Sequence, residues 1–104
     1  GQFFFRGPHL FPIDKLKNAF GDDPEALIRA SKRFRGEEGE FGDASVTLNA
    51  LPRIPLTFVI WRRDEEFNAR ASVLFDKTAG DHMPLDALWA TVNLTTKMLL
   101  QASG

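Results

Sequence analysis

Two spacings alternate along the chain. Between Ile13 and Phe34 apolar residues return every three or four positions, between Ser45 and Phe75 they return every second position, and from Leu85 onward the longer step resumes. A helix presents one face every 3.6 residues and a strand every two, so the pattern predicts helices, then strands, then a last helix. Ile13, Leu16 and Phe20 make the first short helical stripe, and Gly21 is placed to end it. The next segment, "DDPEALIRASKRFRG", carries Asp23 as a capping residue, Pro24 at the first helical position and Glu25 at the positive end of the dipole. Its stripe is Leu27, Ile28, Ser31 and Phe34, its last turns are basic, and Gly36 stops it.

"EEGEFGD" reads as a flexible acidic connector, after which the period drops to two. In "ASVTLNAL", Val46, Leu48 and Ala50 fall on one face and Ser45, Thr47 and Asn49 on the other, as in a half-buried strand. "PRIP" interrupts it, because proline donates nothing to a ladder. "LTFVIW" is apolar on both faces and is the expected centre of the sheet; "ARASVLF" alternates again. Short connections make these three an antiparallel meander. "QFFF" is available as a fourth, N-terminal strand, cut off by Gly7, Pro8 and Pro12. In "PLDALWATVNLTTKMLLQ", Pro84 suits a first turn, and Leu85, Leu88, Trp89, Val92, Thr96 and Leu99 form a stripe that can lie on the sheet. The fold class is α+β: a small antiparallel sheet covered on one face by helices.

At 104 residues, with 43% apolar and 26% charged, the chain is expected to form a single domain over residues 1–104. A formal charge of −1 sets up no field that would draw nucleic acid or an anionic membrane. With no cysteine, disulfides, thiolate zinc sites and an iron–sulfur cluster held within this segment are excluded. The apolar runs fall well short of the roughly 20 residues a membrane span needs. "GQFFFRGP" lacks the make-up of a signal peptide, so a cytoplasmic location is expected.

Candidate chemistry centres on Asp64-Glu65-Glu66 in "RRDEEFN", between two predicted strands. Neighbouring strand residues point to opposite faces, so three successive acids converge only if the turn curls them together. In a tight turn Asp64 is expected to accept bonds from amides ahead of it. The plainer reading is a solvated hairpin tip whose charge Arg62 and Arg63 offset; the sharper alternative is a hard cation held by carboxylates, with Asp76 and His82 as further ligands. His9 and His82, the two histidines, lack the spacing of a zinc motif and suit capping or surface roles. No serine nucleophile elbow and no glycine-rich phosphate loop is present. Arg29, Lys32, Arg33 and Arg35 suit a helix C-terminus, with phosphate or nucleic-acid binding as the weaker use. Phe3, Phe4 and Phe5 at a free terminus would expose apolar area that monomers usually hide, so either they form an inner strand of the sheet or, as a candidate partner surface, they are covered by a second chain or a missing segment.

Leu51-Pro52-Arg53 with Pro55, then Trp61, Asp64-Glu65-Glu66-Phe67, and Leu74-Phe75-Asp76 form a combination that resembles a bacterial and archaeal domain of unknown function common in anaerobes. The resemblance covers nearly the whole chain. It implies that the chain is the C-terminal part of a longer protein whose N-terminal region covers the phenylalanines; apart from the resemblance, a homo-oligomer partner is the other candidate. Some members carry an added iron–sulfur segment with its own cysteines; this chain has none. It also implies that Asp64, Glu65, Glu66, Asp76, Arg53 and Trp61 act together, as a structural lock first and a ligand site second. The leading expectation is therefore a non-catalytic binding or accessory domain. The competing one is a metal-dependent enzyme built on the acidic turn.

Overall fold

The computed structural model describes residues 2–5, 13–51, 54–76 and 85–103. In chain order these form β1 (Gln2–Phe5), α1 (Ile13–Phe20), α2 (Glu25–Ser31), β2 (Glu37–Glu38), β3 (Ala44–Leu51), β4 (Ile54–Trp61), β5 (Arg70–Asp76) and α3 (Leu85–Ser103). The strands make one sheet in the order β1-β5-β4-β3-β2, antiparallel throughout. The expected meander is its centre. "QFFF" joins as a fourth strand at one edge, with Phe3 opposite Phe75 and Phe5 opposite Val73 in register.

β4 is buried on both faces, as its unbroken apolar run requires: Leu56, Phe58, Val59 and Ile60 are fully enclosed. Toward the helices, cross-strand rows pair Val46 with Phe58 and Val73, and Leu48 with Leu56 and Phe75. Leu16 and Phe20 of α1, Leu27 and Ala30 of α2, and Leu88, Val92 and Leu99 of α3 close over them in one core. From Leu88 to Leu99 the α3 stripe is as the spacing predicts; Pro84 and the side chain of Leu85 lie outside the described residues. Trp89 lies partly buried beside the stripe, and Thr96 is buried with its hydroxyl unpartnered among the described residues.

Four local expectations need correcting. The Asp23 carboxylate does not cap α2: it accepts a hydrogen bond from Arg29 at 2.8 Å, while its main-chain carbonyl takes the Ala26 amide. The helix stops being α-helical at Ser31, continues as a 3₁₀ turn over Lys32–Phe34, and ends on Arg35 at φ 59°. There the Gly36 amide donates to the Ser31 carbonyl and the Arg35 amide to that of Lys32, the paired bonds of a Schellman ending. The acidic connector is not wholly irregular, since Glu37 and Glu38 pair with Thr47 and Val46 as a two-residue edge strand. Pro55 lies inside β4, opposite Asn49; it stays close to the start of the strand, where pairing with β5 has not begun.

Ser45 faces away from the helices yet is buried, contrary to a simple half-buried alternation. Residues 39–43 fold back over this second face. Ser45 accepts the Phe41 amide on its hydroxyl and the Gly39 amide on its carbonyl. Gly42, at φ 57°, brings bare backbone so close to Val59 and the carbonyl of Ile60 that any side chain would collide.

Candidate functional site

The acidic turn forms as Asp64 predicts. Its Oδ1 accepts the Glu66 amide at 2.8 Å and the Phe67 amide at 2.6 Å, and its own amide donates to the Phe67 carbonyl. The carboxylate thus takes the place that a main-chain carbonyl fills in an ordinary β-turn. Glu65 and Glu66 point to solvent and make no side-chain bond among the described residues. Trp61, the last residue of β4, is half-buried, with the Arg70 guanidinium 5.0 Å from its ring centroid.

The base of the turn is pinned from two sides. The Asp43 carboxylate accepts the Arg62 amide, and the Arg63 amide donates to the Gly21 carbonyl at 3.0 Å. The Arg63 guanidinium reaches Asp22 at 3.8 Å, so it does not neutralise the triplet. Asp76 ends β5, six residues beyond Arg70, so its backbone lies roughly 20 Å along the strand from the turn. Arg53, His9 and His82 lie outside the described residues, as do the side chains of Asp76, Phe3, Phe4 and Phe5. Among the described residues no three His, Asp or Glu side chains are grouped to hold a metal ion. No helix among them is long and apolar enough to cross a membrane.

A different feature stands out at the other end of the sheet. Phe34, Leu48 and Asn49 face Thr91, Leu94, Thr95 and Met98 of α3 across a groove of about 130 Å³. That volume is well below the roughly 300–1,000 Å³ of small-molecule sites and suits a single inserted side chain. Leu94 is 61% exposed and Met98 36%, although both are large and apolar. The polar lining has little to offer chemically. The Thr91 hydroxyl donates to the Ala87 carbonyl and the Thr95 hydroxyl to that of Thr91, both at 2.8 Å.

Cations neighbour two of the lining residues in sequence. Lys32, Arg33 and Arg35 flank Phe34, and Lys97 precedes Met98; none makes an ion pair among the described residues. The acids nearest in sequence, Glu37 and Glu38, sit opposite Thr47 and Val46, with Glu37 close to the Leu48 wall of the groove; Lys32, Arg33, Arg35 and Lys97 outnumber these two. Sequence reasoning identified the basic cluster but missed the groove. The available signal was Leu94 and Met98, an apolar pair four residues apart and off the buried stripe of α3.

The family described as "Domain of unknown function (DUF3786)" matches residues 1–98. No curated protein and no solved structure matches the chain.

Proposed function

The chain belongs to the DUF3786 family, a domain of unknown function, and from its geometry we propose that it is a non-catalytic binding domain. In this reading the groove between α3 and β3 takes one apolar side chain from an acidic protein segment. The observation that carries it is Leu94, left largely in solvent beside Met98 and Phe34, whose sequence neighbours Arg33, Arg35 and Lys97 make no ion pair among the described residues. An apolar anchor would bury this surface while the acids beside it meet Arg33, Arg35 and Lys97. This is the usual division between a hydrophobic centre and a polar rim. The groove's threonine hydroxyls are engaged by helix carbonyls, which fits a gripping surface better than a reacting one. β1, at the sheet edge with Phe3, Phe4 and Phe5, belongs to the same proposal as a second contact surface.

The test uses 8-anilinonaphthalene-1-sulfonate, an aromatic anion, titrated onto the folded chain and followed by fluorescence. The expected result is saturable binding that Leu94→Asp weakens by roughly tenfold or more, with an unchanged circular dichroism melting curve. Equal binding by the wild type and Leu94→Asp would overturn the assignment of the groove.

A further inference from the structure

We propose that the groove's occupant is the acidic turn of a second copy of this chain, with Phe67 as the inserted anchor. This rests on the groove being a docking site, as argued above, and adds the identity of the partner.

The chain itself carries a segment of the required chemistry. Phe67 is 67% exposed, the largest exposure among the large apolar side chains described. It follows directly on Asp64, Glu65 and Glu66, of which the two glutamates have no partner among the described residues. The Asp64 bonds to the Glu66 and Phe67 amides hold the turn in one shape before binding. That ordering lowers the entropy a flexible loop would lose on docking. An aromatic tip preceded by acids thus matches an apolar groove of one-side-chain size whose lining residues Phe34 and Met98 have mainly cations as sequence neighbours, a match in charge sign and in size.

The two features cannot meet within one molecule. The groove's Leu48 and Asn49 pair with Leu56 and Pro55 at the start of β4, whereas the turn follows Trp61 at its end. Five residue steps from Leu56 to Trp61 separate them by roughly 17 Å of extended strand. Placed at opposite ends, they contact only between copies, head to tail. Such a contact is heterologous, and it propagates into open chains unless the rotation closes a ring. A tip of four residues buries little area, so the association belongs with weak, reversible contacts.

Sedimentation velocity of the full chain over a concentration series, at low and high salt, reads this out. The expected result is a mass that grows with concentration and falls with salt. Phe67→Ser removes the anchor and Leu94→Asp blocks the groove; both sites are exposed, and unchanged melting curves establish that both variants fold. Each variant alone should be monomeric. Mixed one to one, they should form a dimer that grows no further, because only the intact groove of Phe67→Ser and the intact turn of Leu94→Asp can pair. A wild type that remains monomeric at millimolar concentration, while the aromatic anion still binds the groove, would overturn the second-copy proposal and leave the docking site standing. Association that survives either single substitution, or a mixture that does not dimerise, would overturn it as well.

Discussion

Asp64, Glu65 and Glu66 look equivalent as letters, yet their surroundings separate them. One oxygen of Asp64 holds two amides, while the glutamates beside it hold nothing among the described residues. Replacing Asp64 with alanine should destabilise the fold by about 1 kcal/mol, the scale found for helix N-caps that use the same side-chain-to-amide bond. Asparagine should restore most of this, since its carbonyl oxygen accepts the same two bonds. Alanine at Glu65 or Glu66 should change stability by no more than about 0.5 kcal/mol, as at ordinary surface positions. Urea unfolding of the four variants checks the set. A large loss at Glu65 or Glu66 would mean that the triplet acts as a unit and that the division drawn here is mistaken.

The turn's position depends on the element behind it. α1 ends where the Gly21 amide bonds the Lys17 carbonyl, and the Gly21 carbonyl accepts the Arg63 amide. A Cβ at Gly21 would lie 2.4 Å from the Cβ of Ala69 and 2.5 Å from the Lys17 carbonyl oxygen. Gly21→Ala should therefore cost about 2 kcal/mol or more, in the range of overpacked cores. Adding Ala69→Gly should recover part of that loss but not the share owed to the Lys17 carbonyl; a double-mutant cycle in urea measures the coupling. Gly21 was legible in the sequence as a helix stop, but the reason a side chain is excluded was not, because Ala69 is distant in sequence. The same contrast runs through the fold. Alternation in "ASVTLNAL" and "ARASVLF" and the stripe from Leu88 to Leu99 revealed the meander and α3, since period depends on neighbours alone. Glu37 and Glu38 became a strand because the edge of β3 offered them backbone partners, which acidic composition does not predict. The groove was hidden for a related reason: Phe34, Leu48 and Leu94 come from three separate segments. For the candidate site, the Asp64 turn was readable and the groove was not.

At the scale of the whole molecule, balanced charge conceals an uneven distribution. The formal sum is −1, yet Glu65 and Glu66 at the turn beyond one end of β4, and Lys32, Arg33, Arg35 and Lys97 next in sequence to the groove's Phe34 and Met98, make no ion pair among the described residues. The described ion pairs, Lys17–Asp14 at 3.5 Å, Arg29–Asp23 at 2.8 Å and Arg63–Asp22 at 3.8 Å, all lie on the surface. Exposed pairs of this kind contribute about 0–1 kcal/mol each and are screened by salt. The fold is held instead by the apolar rows of β3, β4 and β5 against Leu16, Phe20, Leu27, Val92 and Leu99. Folding and association should consequently respond differently to ionic strength. Raising salt from about 0.05 to 0.5 M shortens the screening length from more than 10 Å to a few ångström. The unfolding free energy of the dilute monomer should shift by less than about 1 kcal/mol across that range, because few surface pairs are there to be weakened. Urea titrations at the two salt concentrations, performed at a dilution where sedimentation shows a monomer, isolate this response. A loss of several kcal/mol at high salt would place a substantial share of the stability in electrostatics and would contradict a fold sustained by its buried rows.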